Sequence, residues 1–339
     1  MLWWQAALVL TLSLATVATQ GQQSSSAVSD DVVSSSADAL PSVHELLNTM
    51  SQQQQALNYE GALTYQNSTG AESFKLQHWV DEGVEYQRLY YLTGPEREAV
   101  LVQHTDCKAP GSRLLHERLQ LLQQNIASLD ALYTLRVRGL ERVAGRVAVV
   151  LQVTPRDTHR FGYFLSVDRD TGLLLKSVLF DEQLRVLEQF QFIELNIATD
   201  VASFAERADA AISYKIDGNQ VAGCVFSETE TTANWSLGWL PEGFELVGRQ
   251  QLRDNMDMLM YTDGLSSFSL FLDPVVGQLV IEGHAQRGAT NFYMSGLKVP
   301  SGSFQLTIIG EIPVPVAERI AQSVQSLQGP VPAASAPGS

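Results

Sequence analysis

Leu135-Arg-Val-Arg-Gly-Leu-Glu-Arg-Val143, Ala144-Gly145, Arg146-Val-Ala-Val-Val-Leu-Gln-Val-Thr154 reads as a strand, a two-residue turn and a second strand. Aliphatic and β-branched runs bounded by a glycine turn carry that reading. The pattern continues in both directions. Downstream, the turn Arg156-Asp-Thr-His159 leads into Phe161 to Val167, Asp170-Thr-Gly172 leads into Leu173 to Phe180, and Val186 to Leu195 follows. Upstream come Tyr59 to Tyr65, Ser73 to Val80, Val84 to Leu92 and Glu98 to Gln103, broken by Asn67-Ser-Thr-Gly70, Asp81-Glu-Gly83 and Thr93-Gly-Pro95. So long an antiparallel meander cannot cover both faces of its sheet with one or two helices. It must curl around a helix or close partly into a barrel. The expected class is therefore α+β, with an N-terminal half-open antiparallel barrel.

The helices that accompany this sheet are few. Ser42-Val-His-Glu45 is a capping box, in which the Ser and Glu side chains satisfy each other's backbone N–H groups. Val43, Leu46, Leu47 and Met50 then recur at helical spacing and predict an amphipathic helix to about Ala56. Leu114, Leu115, Leu119, Leu121 and Leu122 predict a second helix over Arg113 to Gln124.

Between residues 198 and 234 strand periodicity stops and Ala, Asp, Thr and Glu accumulate, so a linker is expected there. A second, smaller α+β domain is expected over 235–327. It opens on Trp239-Leu-Pro-Glu-Gly-Phe244, where a Pro-Glu-Gly turn brings an indole and a phenyl ring to the start of a strand. Tyr261-Thr-Asp-Gly-Leu-Ser-Ser-Phe-Ser-Leu-Phe-Leu272 then gives strand, Asp263-Gly264 turn and strand. Thr307-Ile-Ile-Gly-Glu-Ile-Pro313 is a strand ending at a proline, and Ala317 to Val324 an amphipathic helix. The Pro, Ala and Ser of residues 328–339 predict a disordered tail.

Residues 1–18 have the apolar centre and the small-x-small ending, Thr16-Val-Ala18, of a cleavable signal peptide, with an uncleaved anchor as the alternative. Residues 19–40 are Ser, Gln, Ala and Asp with little to bury and are expected to be disordered. No later apolar run approaches the roughly 20 residues a membrane helix needs. A net charge of −15 argues against nucleic acid, whose phosphates require excess Lys and Arg. That acidity suits a basic segment on a protein partner, or is simply a solubility property. In an exported protein the two cysteines, Cys107 and Cys224, read as one disulfide.

Catalytic grammar is missing from the sequence. The six histidines are scattered without i, i+4 pairs or HExxH, and there is no Gly-x-Ser-x-Gly elbow, P-loop or Gly-x-Gly-x-x-Gly after a strand. An enzyme is not expected, nor any cofactor or metal. His159, beside Arg156, Asp157 and Arg160, is either an ordinary turn residue or part of a polar rim around a ligand mouth. In the second case Arg156 and Arg160 face an anionic head group. Trp79, Tyr91, Phe190 and Phe192 belong to a set of strand aromatics that either pack as core or line an apolar pocket for acyl chains. Phe268, Leu270 and Leu272 form a core face, whereas Phe271 on the other face either packs under a loop or offers an aromatic to a partner.

The stretch from Tyr261 to Leu272, with Thr307 to Pro313 and Ala317 to Val324, resembles the C-terminal domain of the MucB/RseB family of exported bacterial regulators. Val153-Thr-Pro-Arg-Asp-Thr-His-Arg-Phe-Gly-Tyr163 and Asp170-Thr-Gly-Leu-Leu-Leu-Lys176 resemble the family's N-terminal domain. The resemblance implies a lipoprotein-carrier-like domain over 41–197 and a partner-binding domain over 235–327. It also implies a periplasmic location and a partner, the periplasmic domain of a MucA/RseA-type anti-sigma factor. By this reading the protein shields that factor from proteolysis and so restrains the envelope-stress sigma factor, with lipopolysaccharide or another acyl lipid relieving the inhibition. Tyr261, Asp263, Phe268 and Phe271 are the expected partner contacts, and Trp79, Tyr91, Arg156, Arg160, Phe190 and Phe192 the expected lipid contacts. The rival is a periplasmic lipid or lipoprotein carrier; a hydrolase would need a clustered nucleophile and base. The oligomeric state stays open, a homo-oligomer included.

Overall fold

The structure is a computed structural model that describes residues 40–53, 57–104, 126–198, 213–217, 234–252, 255–275 and 280–327. The signal peptide expected over residues 1–18, the rest of the stretch to residue 39, the helix expected over Arg113 to Gln124, Cys107, Cys224 and the last twelve residues lie outside the described residues.

Helix α1, Val43–Gln53, begins where the capping box places it. Glu45 accepts from the Ser42 N–H at 2.8 Å, and the Glu45 N–H donates to Ser42 Oγ at 3.2 Å. These bonds hold the Glu45 carboxyl below its ordinary value. Nine strands of an antiparallel sheet follow: β1 Asn58–Asn67, β2 Gly70–Asp81, β3 Val84–Tyr91, β4 Glu98–His104, β5 Tyr133–Val143, β6 Arg146–Pro155, β7 Gly162–Asp168, β8 Leu174–Phe180 and β9 Val186–Ala198. A short helix, α2, Ile126–Leu132, feeds directly into β5.

The chain order is folded back on itself, because β1 pairs with β9 and the sheet reads β4-β3-β2-β1-β9-β8-β7-β6-β5. The tight turns are the predicted ones. Glu82-Gly83 and Ala144-Gly145 both have positive φ at both residues, the backbone that matches strand twist in a two-residue hairpin. Asp168 closes the next turn by accepting from the N–H groups of Asp170 and Thr171, while Arg146 grips its carboxylate from β6. Burial alone would raise the proton affinity of Asp168, but Arg146 and the Thr171 donors outweigh it and hold the carboxyl below its usual range.

The sheet curls without closing. β5 and β9 lie four places apart in the order yet come back into contact, and one core runs across the concave face. Leu46, Leu47 and Met50 of α1 fill it together with Leu63, Leu151, Leu165, Phe190 and Phe192. One strand was not expected. Ser213–Asp217, within the segment read as a linker, forms β10 and adds in parallel to the edge strand β4. Its five residues are too few to show a period among the surrounding Ala and Asp.

The second sheet follows β11, Trp235–Leu237, and orders its strands β12-β13-β14-β17-β16-β15. These are β12 Glu245–Gln251, β13 Asp257–Thr262, β14 Ser267–Pro274, β15 Gly283–Arg287, β16 Thr290–Val299 and β17 Gly302–Gly310. Helix α3, Val314–Ser323, starts behind Pro313 and buries Val316, Ala317, Ile320 and Ala321. The last strand, β18, Val324–Ser326, pairs with β11. The alternation read in β14 holds: Phe268, Leu270 and Leu272 are buried while Ser267, Ser269 and Phe271 are half-buried. The fold is mostly β, a curled antiparallel sheet plus a smaller sheet with one helix.

Candidate binding cleft at the junction of the two sheets

Turns on the second sheet meet one rim of the first, at the ends of β1, β6 and β8 and the starts of β5, β7 and β9. The Arg156 to Phe161 turn between β6 and β7 supplies the centre. Its backbone is fixed locally, since the Arg156 N–H donates to Leu132 O, Arg156 Nε donates to Asp130 O at 3.0 Å, and the His159 N–H donates to Asp157. That places Arg160 inward, where its side chain is fully buried.

Arg160 joins the two sheets. Its Nη1 donates to Asp263 Oδ2 at 2.6 Å, its Nη2 to Glu242 O at 2.7 Å, and its Nε and Nη2 to the two oxygens of Asp157. Tyr133 Oη donates to the same Asp263 oxygen at 2.8 Å. The other Asp263 oxygen takes the N–H groups of Leu265 and Ser266, so it shapes its own turn. Burial works to raise the Asp157 carboxyl, but Arg160 prevails and holds it low. Burial likewise works against the charge of Arg160, and Asp263 with Asp157 overcomes it. Tyr133 is pushed well above its ordinary value, first by burial and then by the Asp263 charge. A desolvated pair of this kind is worth little against an apolar replacement, but losing one partner alone is costly.

Two further contacts complete the junction. Tyr163 Oη meets Ser266 Oγ at 3.2 Å, and Glu188 Oε2 accepts both from Tyr65 Oη at 2.9 Å and from the Ala289 N–H at 3.1 Å. Gly243 has φ +81, a left-handed backbone that favours glycine, and a Cβ there would sit 2.3 Å from the end of the Leu132 side chain and displace it.

Beside this junction a cleft of about 760 Å³ opens between the sheets. His159, Phe161, Arg185 and Val186 line one side, and Trp239, Asn291, Pro313, Val316 and Arg319 the other. The Arg319 guanidinium lies 3.9 Å over the Trp239 ring, and the His159 ring meets the same indole edge-on at 5.4 Å. Asp181 organises the turn at the mouth, accepting from the N–H groups of Gln183 and Arg185 and from Arg185 Nε. That turn leaves Leu184 and Val186 66% and 62% exposed, the most open of the large apolar side chains among the described residues. The cleft thus offers an indole, apolar side chains and two guanidinium groups along a channel, a lining suited to an extended segment of another chain.

The residues singled out in the sequence are distributed differently. Arg160 is not on a rim open to solvent but inside the junction, and Arg156, exposed, braces the turn against Asp130. Trp79 lies on the opposite face of β2 from Phe74 and Leu76, stacked on Tyr86 at 4.9 Å with Arg88 5.3 Å away, so it does not face the concave core. Tyr91 borders that core, edge-on to Phe74 and under Arg97. Phe190 and Phe192 are buried in it, packed edge to face. Tyr261 and Phe268 are stacked on each other inside the second core, and Asp263 is buried against Arg160, so none of these three meets solvent. Phe271 is half-buried. Sequence reading missed Tyr133, Glu188, Arg185 and Arg319, whose roles depend on which turns meet. His159 and Trp239 were read in separate motifs and are brought together.

A curled antiparallel sheet locked at its rim to a smaller sheet, with a lined cleft beside the lock, defines a two-sheet binding protein. The profile of the MucB/RseB N-terminal domain matches residues 42–210 and that of the MucB/RseB C-terminal domain residues 229–325, and the chain belongs to this family. It is 35% identical over 289 residues to the sigma factor AlgU regulatory protein MucB of Pseudomonas aeruginosa, covering 82% of this chain and 89% of that one. It is 27% identical to the sigma-E factor regulatory protein RseB of Escherichia coli K12, covering 86% and 93%. A crystal structure described as MucB in complex with MucA(peri) superimposes with a TM-score of 0.66 at 32% identity, covering 85% of this chain and all of that one. The family is one of regulatory binding proteins.

Proposed function

We propose that this protein is a periplasmic regulator that binds the periplasmic domain of a transmembrane anti-sigma factor. By covering that domain it protects the anti-sigma factor from regulated proteolysis and keeps the envelope-stress sigma factor restrained. Lipopolysaccharide or another acyl lipid, taken up by the first sheet, weakens the complex. The single observation that carries the reading is the cleft between the sheets, in a fold that spans the whole of a MucB chain solved with MucA(peri). No described helix is long and apolar enough to cross a membrane, which accords with action on the exposed part of a membrane-bound partner.

In this reading the second sheet and its helix grip the partner through Trp239 and Arg319, and the first sheet completes the channel through His159 and Val186. Lipid can release the partner only by its differential affinity for the free and bound forms, about 1.4 kcal/mol for each tenfold change. The test is a pull-down with the periplasmic domain of the cognate anti-sigma factor, followed by digestion with the protease that normally cuts it. Binding and slowed cleavage are expected, and added lipopolysaccharide should restore cleavage. Folded protein that binds lipid, releases it to an acceptor membrane and ignores the anti-sigma segment would favour the lipid-carrier reading.

A further inference from the structure

The concave core of the first sheet is not made by that sheet and its helices alone. Leu265 and Ala289, both from turns of the second sheet, are 3% and 0% exposed and belong to the same apolar cluster as Leu132, Tyr133, Phe190 and Phe192. Leu265 sits on the β13–β14 turn and Ala289 on the β15–β16 turn. Both enter at the rim where Tyr133, Tyr163 and Glu188 reach across. Gly288 takes φ +63, a left-handed backbone that favours glycine, and a Cβ on it would lie 2.7 Å from Glu188 Oε2 and push that carboxylate aside.

We propose that these two side chains form a removable plug, and that its natural competitor is an aliphatic chain carrying an anionic head. The argument is one of matching parts. Withdrawing Leu265 and Ala289 leaves an apolar opening that only another apolar group can fill without stranding polar atoms. Withdrawing Asp263 with them leaves Arg160 Nη1 and Tyr133 Oη, both buried, aimed at the position of the lost carboxylate. A carboxylate or phosphate joined to an acyl chain replaces both halves at once: its head takes the place of Asp263 and its chain that of Leu265. α1 also fills the core, but displacing it removes Leu46, Leu47 and Met50 from the first sheet, whereas displacing the turns leaves that sheet intact.

The consequence is a lever. A ligand that occupies the rim detaches the second sheet from the first, and the cleft is built from both sheets, so filling the rim dismantles the channel. This inference rests on the reading that lipid weakens the partner complex, and it names where the competition takes place.

The experiment uses the full mature chain and titrates dodecanoate, dodecyl phosphate and dodecanol by calorimetry, with lipopolysaccharide as a fourth arm to separate free fatty acids from lipid head groups. Both anionic chains should bind at least tenfold tighter than dodecanol, and Arg160→Gln should abolish that preference. Leu265→Ala, which weakens the plug, should tighten binding of dodecanoate about tenfold. On the wild-type protein, hydrogen exchange at the amides of Leu265, Ser266 and Ala289 should lose protection when ligand binds. If Leu265→Ala does not fold, as judged by circular dichroism, the exchange measurement decides alone. Absence of binding by all four ligands, unchanged or weaker affinity in folded Leu265→Ala, or undiminished protection at those amides overturns the plug. A pull-down on the same protein keeps the outcomes apart. Lipid-driven release of the turns without anti-sigma binding sinks the regulatory reading and leaves the plug, and the reverse result does the opposite.

Discussion

Tyr133 belongs to both halves of the molecule: its ring is fully buried in the core of the first sheet, and its hydroxyl donates at 2.8 Å to Asp263 on the second. Arg160 meets the same carboxylate oxygen at 2.6 Å. The connection between the sheets is therefore buried and polar, and its partners are expensive to separate.

Asp263→Ala should lower stability by about 3–5 kcal/mol, because it leaves the Arg160 guanidinium buried without its main counter-charge. Tyr133→Phe removes one hydrogen bond and keeps the packing, so it should cost about 1 kcal/mol. Urea denaturation monitored by tryptophan fluorescence checks both. Equal effects from the two substitutions would show that the carboxylate is not the keystone.

Stability should fall at both ends of the pH scale for separate reasons. The folded pKa values of Asp157 and Asp168 are depressed, so their contribution is present above the unfolded carboxylate value of roughly 4 and is lost as pH falls through the lower folded values. Tyr133 is raised, so its contribution is present below the unfolded phenol value of roughly 10 and is lost as pH climbs toward the higher folded one. Melting temperatures across pH should show Tyr133→Phe flattening the alkaline limb and leaving the acid limb unchanged.

Trp239→Ala should weaken binding of the anti-sigma periplasmic domain by about 2 kcal/mol, close to 30-fold, with little change in folding, since the indole lines the cleft beneath Arg319. Phe271→Ala makes the comparison. Phe271 is half-buried on β14 and is not among the cleft residues, so calorimetry should find it weaker in effect. A larger loss at Phe271 would move the interface onto the open face of the second sheet.

Thiol titration of denatured, unreduced mature protein should find no free thiol, with Cys107 and Cys224 bridged. A pair of cysteines in a chain we read as exported motivates this. Two titratable thiols would falsify it.

Local chemistry was legible in the sequence wherever neighbours along the chain determine the outcome. Ser42 and Glu45 announce a helix start because both halves of the capping box lie within one turn, and Glu82-Gly83 and Ala144-Gly145 announce hairpins because the turn needs only its own two residues. The alternation in β14 identified its core face for the same reason. Failures occurred where the answer depends on a distant partner. Arg160 in a charged turn looks like a solvent-facing cation until Asp263 arrives from the other sheet. Trp79 resembles any pocket aromatic, and only the register of β2 against β3 shows it stacked on Tyr86. The cleft was half visible, since His159 and Trp239 each stood out, but no periodicity encodes the meeting of one turn with another.

The pairing of β1 with β9 also bears on how the chain comes into being. Asn58 lies beside Ala198, so the nine antiparallel strands are fastened by the first finding the ninth, and Trp235 lies beside Ser326 in a separate two-stranded ribbon that joins the beginning of the smaller domain to its end. A chain emerging amino end first must hold β1 and its neighbours unfastened until β9 has emerged, with an unsatisfied strand edge exposed throughout. Folding should accordingly be slow and governed by the arrival of late segments, and the waiting edge is where a holding chaperone would act. Loss of β18, only Val324–Ser326, would leave Trp235 without its strand partner and take Val324 out of the second core, so the smaller domain depends on its last few residues out of proportion to their number.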